Sequence, residues 1–149
     1  MGKIIFRLTE SVKVKLTEAL HKYGDFEIGG ILIGKKIDEN SFEIVDASVS
    51  DEDRRFSFVS FIRGTKKSER LLKKHFRKGT GYYIGEWHSH PRFSLNPSLA
   101  DIRTMLGILH DSSYGVSFVI LLIVHIAHSE MKHKGFLFHK DLREIVPLE

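Results

Sequence analysis

The longest apolar stretch of the chain, Val116 to Ala127, is interrupted by Ser117 and His125. It is too short to cross ~30 Å of hydrocarbon, which takes about 20 apolar residues, so it reads as the central strand of a soluble core. Around it the hydrophobic period changes repeatedly. Lys3 to Leu8 reads as a short strand. From Thr9, a plausible N-cap, Val12, Leu16, Ala19 or Leu20, and Tyr23 recur at helical spacing up to Gly24. Phe26 to Gly34 reads as a buried, glycine-containing strand, and Phe42 to Val49 as the next, after a turn at Asp38 to Ser41. Phe56 to Phe61 alternates like a half-buried strand after a polar loop from Ser50 to Arg55. Thr65 to Lys78 predicts a second helix with Leu71, Leu72, His75 and Phe76 inward. Tyr82 to Trp87 is a strand, Ser98 opens a third helix to about His110, and Gly135 to His139 forms a last strand after a turn near Ser129 to Lys134. Strands interspersed with three helices predict one α/β or α+β domain over residues 1–149.

With 42% hydrophobic and 28% charged residues, the 149-residue chain has the composition of a globular domain, not of a disordered segment. It has no cysteine, which excludes a disulfide framework, a cysteine zinc finger, an iron–sulfur site and a thiol nucleophile together. A formal net charge of +4 permits an acidic partner without requiring nucleic acid. The basic stretch Thr65 to Lys78 brings no interleaved aromatic platform, so a solvated helix face is favoured over a nucleic-acid stripe. No segment has the build of a secretory signal or a membrane span, and the expectation is a soluble cytoplasmic protein.

The informative stretch is Gly85-Glu86-Trp87-His88-Ser89-His90-Pro91, followed downstream by Asp101. Histidines separated by one residue at a strand end point to the same side and can reach one ion. Asp101, one turn into the next helix, comes close if the connecting loop folds back. Two nitrogens and a carboxylate leave a fourth position open, the composition of a catalytic zinc site. A metal-bound water needs a general base, and Glu27 stands at the entrance to a glycine-rich strand. Ser98, three residues before Asp101, shares its helix face and could cap the helix, donate to an oxyanion, or both. Taken singly each feature has a plainer account: an exposed histidine pair, a solubilising glutamate, an ordinary N-cap and a carboxylate at the positive end of a helix. Alternation sends Trp87 to the face opposite His88, into the core. His110, His125, His128, His133 and His139 have spacings that match no compact metal motif.

Together, Glu27 with Gly30 and Gly34, then His88-Ser89-His90-Pro91, then Ser98 and Asp101, closely resemble the JAMM signature of the MPN/JAB metalloprotease family. The resemblance implies a curved mixed β-sheet flanked by helices, the cytidine-deaminase-like JAB/MPN architecture. It implies one zinc ion held by His88, His90 and Asp101, water activation by Glu27 and support of the tetrahedral intermediate by Ser98. It also implies cleavage of an amide or isopeptide bond after the C-terminus of ubiquitin or a ubiquitin-like protein. The segment from Tyr82 to Pro91 further resembles the small stand-alone prokaryotic JAB deconjugating peptidases of CBASS antiphage operons. There the conjugated protein is a cGAS-like nucleotidyltransferase.

The partner expected on this basis is a protein with an extended C-terminal tail, with neither nucleic acid nor membrane. Three alternatives stay open. One is a peptidase processing ubiquitin-like or sulfur-carrier tails, and another a non-catalytic scaffold that keeps the fold. A third is a DNA-repair-associated JAB protein of the RadC type, against which Ser89 stands where that group carries asparagine. A zinc nucleobase deaminase is disfavoured because its metal site uses cysteines.

Overall fold

The computed structural model describes residues 4–49, 66–91, 94–142 and 146–147. In chain order the elements are β1 (Ile5–Leu8), α1 (Glu10–Tyr23), β2 (Gly29–Asp38), β3 (Ser41–Ala47) and α2 (Lys66–Lys78). They continue with β4 (Tyr82–Ser89), α3 (Leu99–His110), β5 (Phe118–Ala127), β6 (Glu130–His139) and β7 (Val146–Pro147). The strand expected over Phe56 to Phe61 lies outside the described residues.

The strands form one mixed, curved sheet in the order β1-β3-β2-β4-β5-β6-β7. The β1/β3 and β4/β5 pairs are parallel and the others antiparallel. The long apolar stretch is β5, and Val119 through Val124 are fully buried because helices cover both faces of the sheet. On one face α1 sets Val12, Leu16 and Leu20 against Leu32, Trp87, Ile120, Leu122 and Val124. On the other, α3 packs Met105, Ile108 and Leu109 on Val119, Leu121, Ile123 and Phe138. Beside it, α2 sets Leu71 and Leu72 against Ile31 and Ile33. Among the described residues no helix is long and apolar enough to cross a membrane.

Local chemistry sets the helix ends. Thr9 caps α1 by accepting the Val12 N–H, and Gly24, with φ of +56°, terminates it. Ser98 and Asp101 form a reciprocal capping box at the start of α3.

Three expectations need correction. Phe76 is 83% exposed, while its neighbour His75 is buried. The inward face of α2 is set by Leu71, Leu72 and a polar tie from His75 to the sheet. The turn before β6 is only His128-Ser129, both with positive φ, and β6 begins at Glu130. The mostly polar run from Glu130 to Lys134 still forms a strand because β5 offers it backbone partners as far as Ala127. Finally, β4 runs on through His88 to Ser89.

Gly85 sets the aim of the residues after it. A register shift between β2 and β4 makes a bulge there, with Leu32 opposite Gly85 but Ile33 opposite Tyr83. The bulge puts Ile84 and Trp87 on the α1 face and leaves Tyr83, Glu86 and His88 for the other. A Cβ at Gly85 would overlap the backbone of Ile120 on the adjacent strand. Gly85→Ala is therefore expected to destabilise the fold by about 3 kcal/mol, the upper range for overpacking a core that must shift backbone. Urea unfolding measures this, and a wild-type midpoint would show that the strands separate without strain.

Candidate metal centre

The end of one strand and the start of one helix bring the predicted ligands together. His88 is the penultimate residue of β4, paired with Gly29 of β2 and Ile123 of β5. Its side chain shares the α3 face with Glu86, whose carboxylate accepts the Tyr83 hydroxyl at 2.6 Å. His90 lies just past the strand, held by its N–H to the Val124 carbonyl at 2.9 Å. Between them Ser89 turns to the opposite side. There its hydroxyl oxygen accepts the Ile28 N–H at 3.0 Å and its own N–H donates to the Ile28 carbonyl at 2.9 Å.

The two imidazole Nε2 atoms approach to 2.9 Å. Asp101 closes the group, Oδ1 lying 3.2 Å from His88 Nε2 and Oδ2 3.2 Å from His90 Nε2. All three residues are buried, and their ligand atoms lie within 4.8 Å of one another. Among the described residues this is the one group of three or more such side chains.

The hydrogen bonds around the group suit a metal. His90 Nδ1 donates to the Ser94 carbonyl at 2.8 Å, which holds the ring with Nε2 aimed inward. Asp101 is oriented by the capping box: Ser98 N–H donates to Oδ2 at 2.7 Å, and Asp101 N–H donates to Ser98 Oγ at 3.1 Å. Burial pushes the Asp101 carboxyl up, but hydrogen bonds from His88 and His90 more than offset it and hold it well below the usual carboxylate range. Burial likewise pushes His90 down, yet the Asp101 carboxylate, the Ser94 carbonyl and the charge of Glu27 leave it raised. The group thus has the polarity of a cation site: two neutral-capable nitrogens and a carboxylate that stays ionised.

Glu27 is not part of the ligand group and is exposed. The Ile28–Ser89 hydrogen bonds continue the β2/β4 pairing by one step, which puts Glu27 level with His90. Its charge acts on that imidazole. Ser98, also exposed, caps α3, and its hydroxyl keeps its own proton free for donation after accepting the Asp101 N–H. Trp87 is fully buried on the far face, its indole N–H donating to the Ser48 carbonyl at 2.7 Å.

Sequence reasoning missed the Ser94 carbonyl, because a backbone acceptor leaves no mark in residue type. It also missed Ser89 as the clasp between β4 and the segment bearing Glu27. Placement of Ser89 between two histidines that face the other way was the available signal.

Comparison with known proteins agrees with this geometry. A family model described as prokaryotic homologs of the JAB domain matches residues 9–134. A curated protein named CD-NTase/cGAS isopeptidase, from Enterobacter hormaechei subsp. hoffmannii (strain UCI 50), is 34% identical over 117 residues. The match covers 78% of this chain and 64% of that protein, so the chain spans a little under two thirds of its relative's length. A solution structure of a protein from Desulfitobacterium hafniense superposes with a TM-score of 0.63 at 19% identity, over 97% of this chain and 90% of that one. Another, from Salinibacter ruber (strain DSM 13855), gives 0.58 at 14% identity, over 96% and 88%. Both likenesses are of fold.

Proposed function

The chain belongs to the family of prokaryotic JAB-domain homologues, and from that premise we propose that it is a zinc-dependent isopeptidase. Its single domain over residues 1–149 would hydrolyse the amide bond after the C-terminus of a conjugated protein, in the cytoplasm. The conjugated protein in this reading is a cGAS-like nucleotidyltransferase of bacterial antiphage defence, which the name of the Enterobacter relative supports. The observation that carries the chemistry is the buried His88-His90-Asp101 group with Glu27 level with it in the segment that leads into β2.

Zinc held by His88, His90 and Asp101 would supply Lewis-acid polarisation of the scissile carbonyl and of a water. Hydrogen bonds from His88, His90 and the Ser98 N–H keep Asp101 ionised, and the Ser94 carbonyl holds the His90 ring with Nε2 facing the other two ligands. Glu27, outside the ligand set, takes the proton of the attacking water and returns it to the leaving amine. Ser98 offers its hydroxyl proton to the developing oxyanion.

The test is cleavage of a nucleotidyltransferase C-terminal tail joined through an amide bond to a reporter. The expected result is release of the reporter after the last residue of the tail. A zinc-loaded protein that leaves this tail intact but cuts ubiquitin-like or sulfur-carrier tails would replace the substrate. One that binds zinc and cuts none would be a scaffold.

A further inference from the structure

The basic helix α2 acquires a second meaning once folded. β1 pairs with β3 only as far as Ile44, so among the described residues the end of β3 has an open edge. Helices α1 and α2 approach that edge from the two faces of the sheet and leave a cleft of about 320 Å³ between them. It is lined by Lys15 from α1, Ser48 and Val49 from the end of β3, and Arg70, Leu71 and Lys74 from α2. Three cations from two helices therefore converge on one concavity.

The cleft is braced from beneath. Asp46 Oδ1 accepts Lys15 Nζ at 3.1 Å while Oδ2 lies 2.8 Å from His75 Nε2, and His75 Nδ1 meets the Thr80 hydroxyl at 2.7 Å. Burial pushes the Asp46 carboxyl up, but the His75 and Lys15 hydrogen bonds outweigh it and keep the group ionised. Ser48 Oγ accepts the Ile31 N–H at 2.9 Å and meets Ser68 Oγ at 2.8 Å. These ties lock α2 to the sheet, so the exposed heads of Arg70 and Lys74 are presented from a fixed frame. Among the described residues, Asp46 is the one carboxylate bonded to a lining cation, so the described lining carries more positive than negative charge.

The position matters as much as the charge. Ser48 N–H donates to the Ile31 carbonyl, and the Ser48 carbonyl accepts the Trp87 indole. The cleft thus opens at the same end of the sheet as His88, two strands away. At about 4.8 Å per strand that is about 10 Å, or at least about three residues of extended chain. The segment bearing Glu27 lies between.

We propose that this cleft docks an acidic peptide segment, whose carboxylates are bound by Lys15, Arg70 and Lys74. On the isopeptidase reading, on which this partner assignment rests, the segment belongs to the substrate and lies at least about three residues from the scissile amide. A peptide fits better than nucleic acid. Among the described residues the cleft wall is aliphatic, Val49 and Leu71, and none of those lining it is aromatic, so they offer bases no stacking surface. Arg70 offers a planar fork suited to carboxylates, and none of the lining residues belongs to a glycine-rich phosphate-binding loop.

The test is fluorescence anisotropy of the full chain with a labelled glutamate- and leucine-rich peptide, beside its glutamine counterpart and a labelled single-stranded oligonucleotide. Wild type is expected to bind the glutamate peptide, more weakly as salt is added, and to ignore the glutamine one. Arg70→Glu with Lys74→Glu should weaken binding at least about tenfold, since two attractive exposed charges become repulsive. The pair Lys134→Glu with Lys140→Glu changes net charge equally on exposed residues away from the cleft and should leave binding within about twofold. Equal losses in the two pairs would overturn the proposal, as would tighter binding of the oligonucleotide with the same dependence on Arg70 and Lys74. The assay needs no cleavage, so failure here and failure of the isopeptidase reading are seen separately.

Discussion

Glu27→Ala is expected to lower the rate of amide cleavage by about a hundred- to ten-thousand-fold, the usual contribution of a positioned general base, while stoichiometric zinc stays bound. Two observations fix both halves of this expectation. Glu27 stands outside the three residues whose ligand atoms cluster within 4.8 Å, so its loss removes no ligand. It is nevertheless level with His90 through the Ile28–Ser89 hydrogen bonds, close enough for its charge to act on that imidazole. Exposure of Glu27 makes the substitution harmless to the core, so thermal unfolding should be unchanged. Glu27→Gln keeps the shape but accepts no proton, and should be as inactive as the alanine variant. Cleavage rates together with metal analysis decide the matter. Full turnover by either variant would remove Glu27 from the mechanism, and loss of zinc would make it a ligand.

The parts of this site differ in how openly the sequence displays them. His88, His90 and Asp101 are legible because strand alternation and one helix cap, both local rules, bring them together. The cap itself, Ser98 with Asp101, is written in residue types that have few other uses at a helix start. Glu27 is different. Its partner strand lies about sixty residues on, and no local period links them, so only resemblance to a known signature singled it out. The bulge at Gly85 was equally hidden: simple alternation pairs Ile84 with Glu86, whereas the structure sends Ile84 with Trp87 to the α1 face. On α2, helical spacing alone put Phe76 inward beside Leu72. The tie from His75 to Asp46, a residue from β3, shows why it turns outward instead. The cleft beside it draws Lys15 and Lys74 from helices separated by two strands, a juxtaposition that exists only in the folded chain.

The second large effect is expected at Asp101, where ligand and helix cap are the same side chain. Asp101→Ala should abolish stoichiometric zinc binding and cleavage together, because the carboxylate that meets both imidazoles at 3.2 Å is gone. Its effect on stability should depend on the metal. With chelator present, the variant loses the hydrogen bonds from the Ser98 N–H and the two imidazoles, offset in part by relief of the carboxylate's burial, a net cost of about 1 kcal/mol. With zinc at a thousandfold excess over its dissociation constant, wild type gains about 4 kcal/mol by mass action and the variant gains nothing. The difference between the two melting temperatures should therefore widen severalfold when zinc is added. Ser98→Ala separates the two roles. It removes the cap acceptor for the Asp101 N–H but no ligand, so it should show the chelator-level loss under both conditions and keep its zinc. A lowered kcat in zinc-loaded Ser98→Ala would then report the hydroxyl acting on the oxyanion, since the metal is in place. His90→Ala should follow Asp101→Ala in losing the ion, because its Nε2, fixed by the Ser94 carbonyl, is one of the two nitrogens offered. Retention of stoichiometric zinc by either ligand variant, or a zinc-independent stability gap for Asp101→Ala, would mean that the buried group is a structural ion pair and not a metal site.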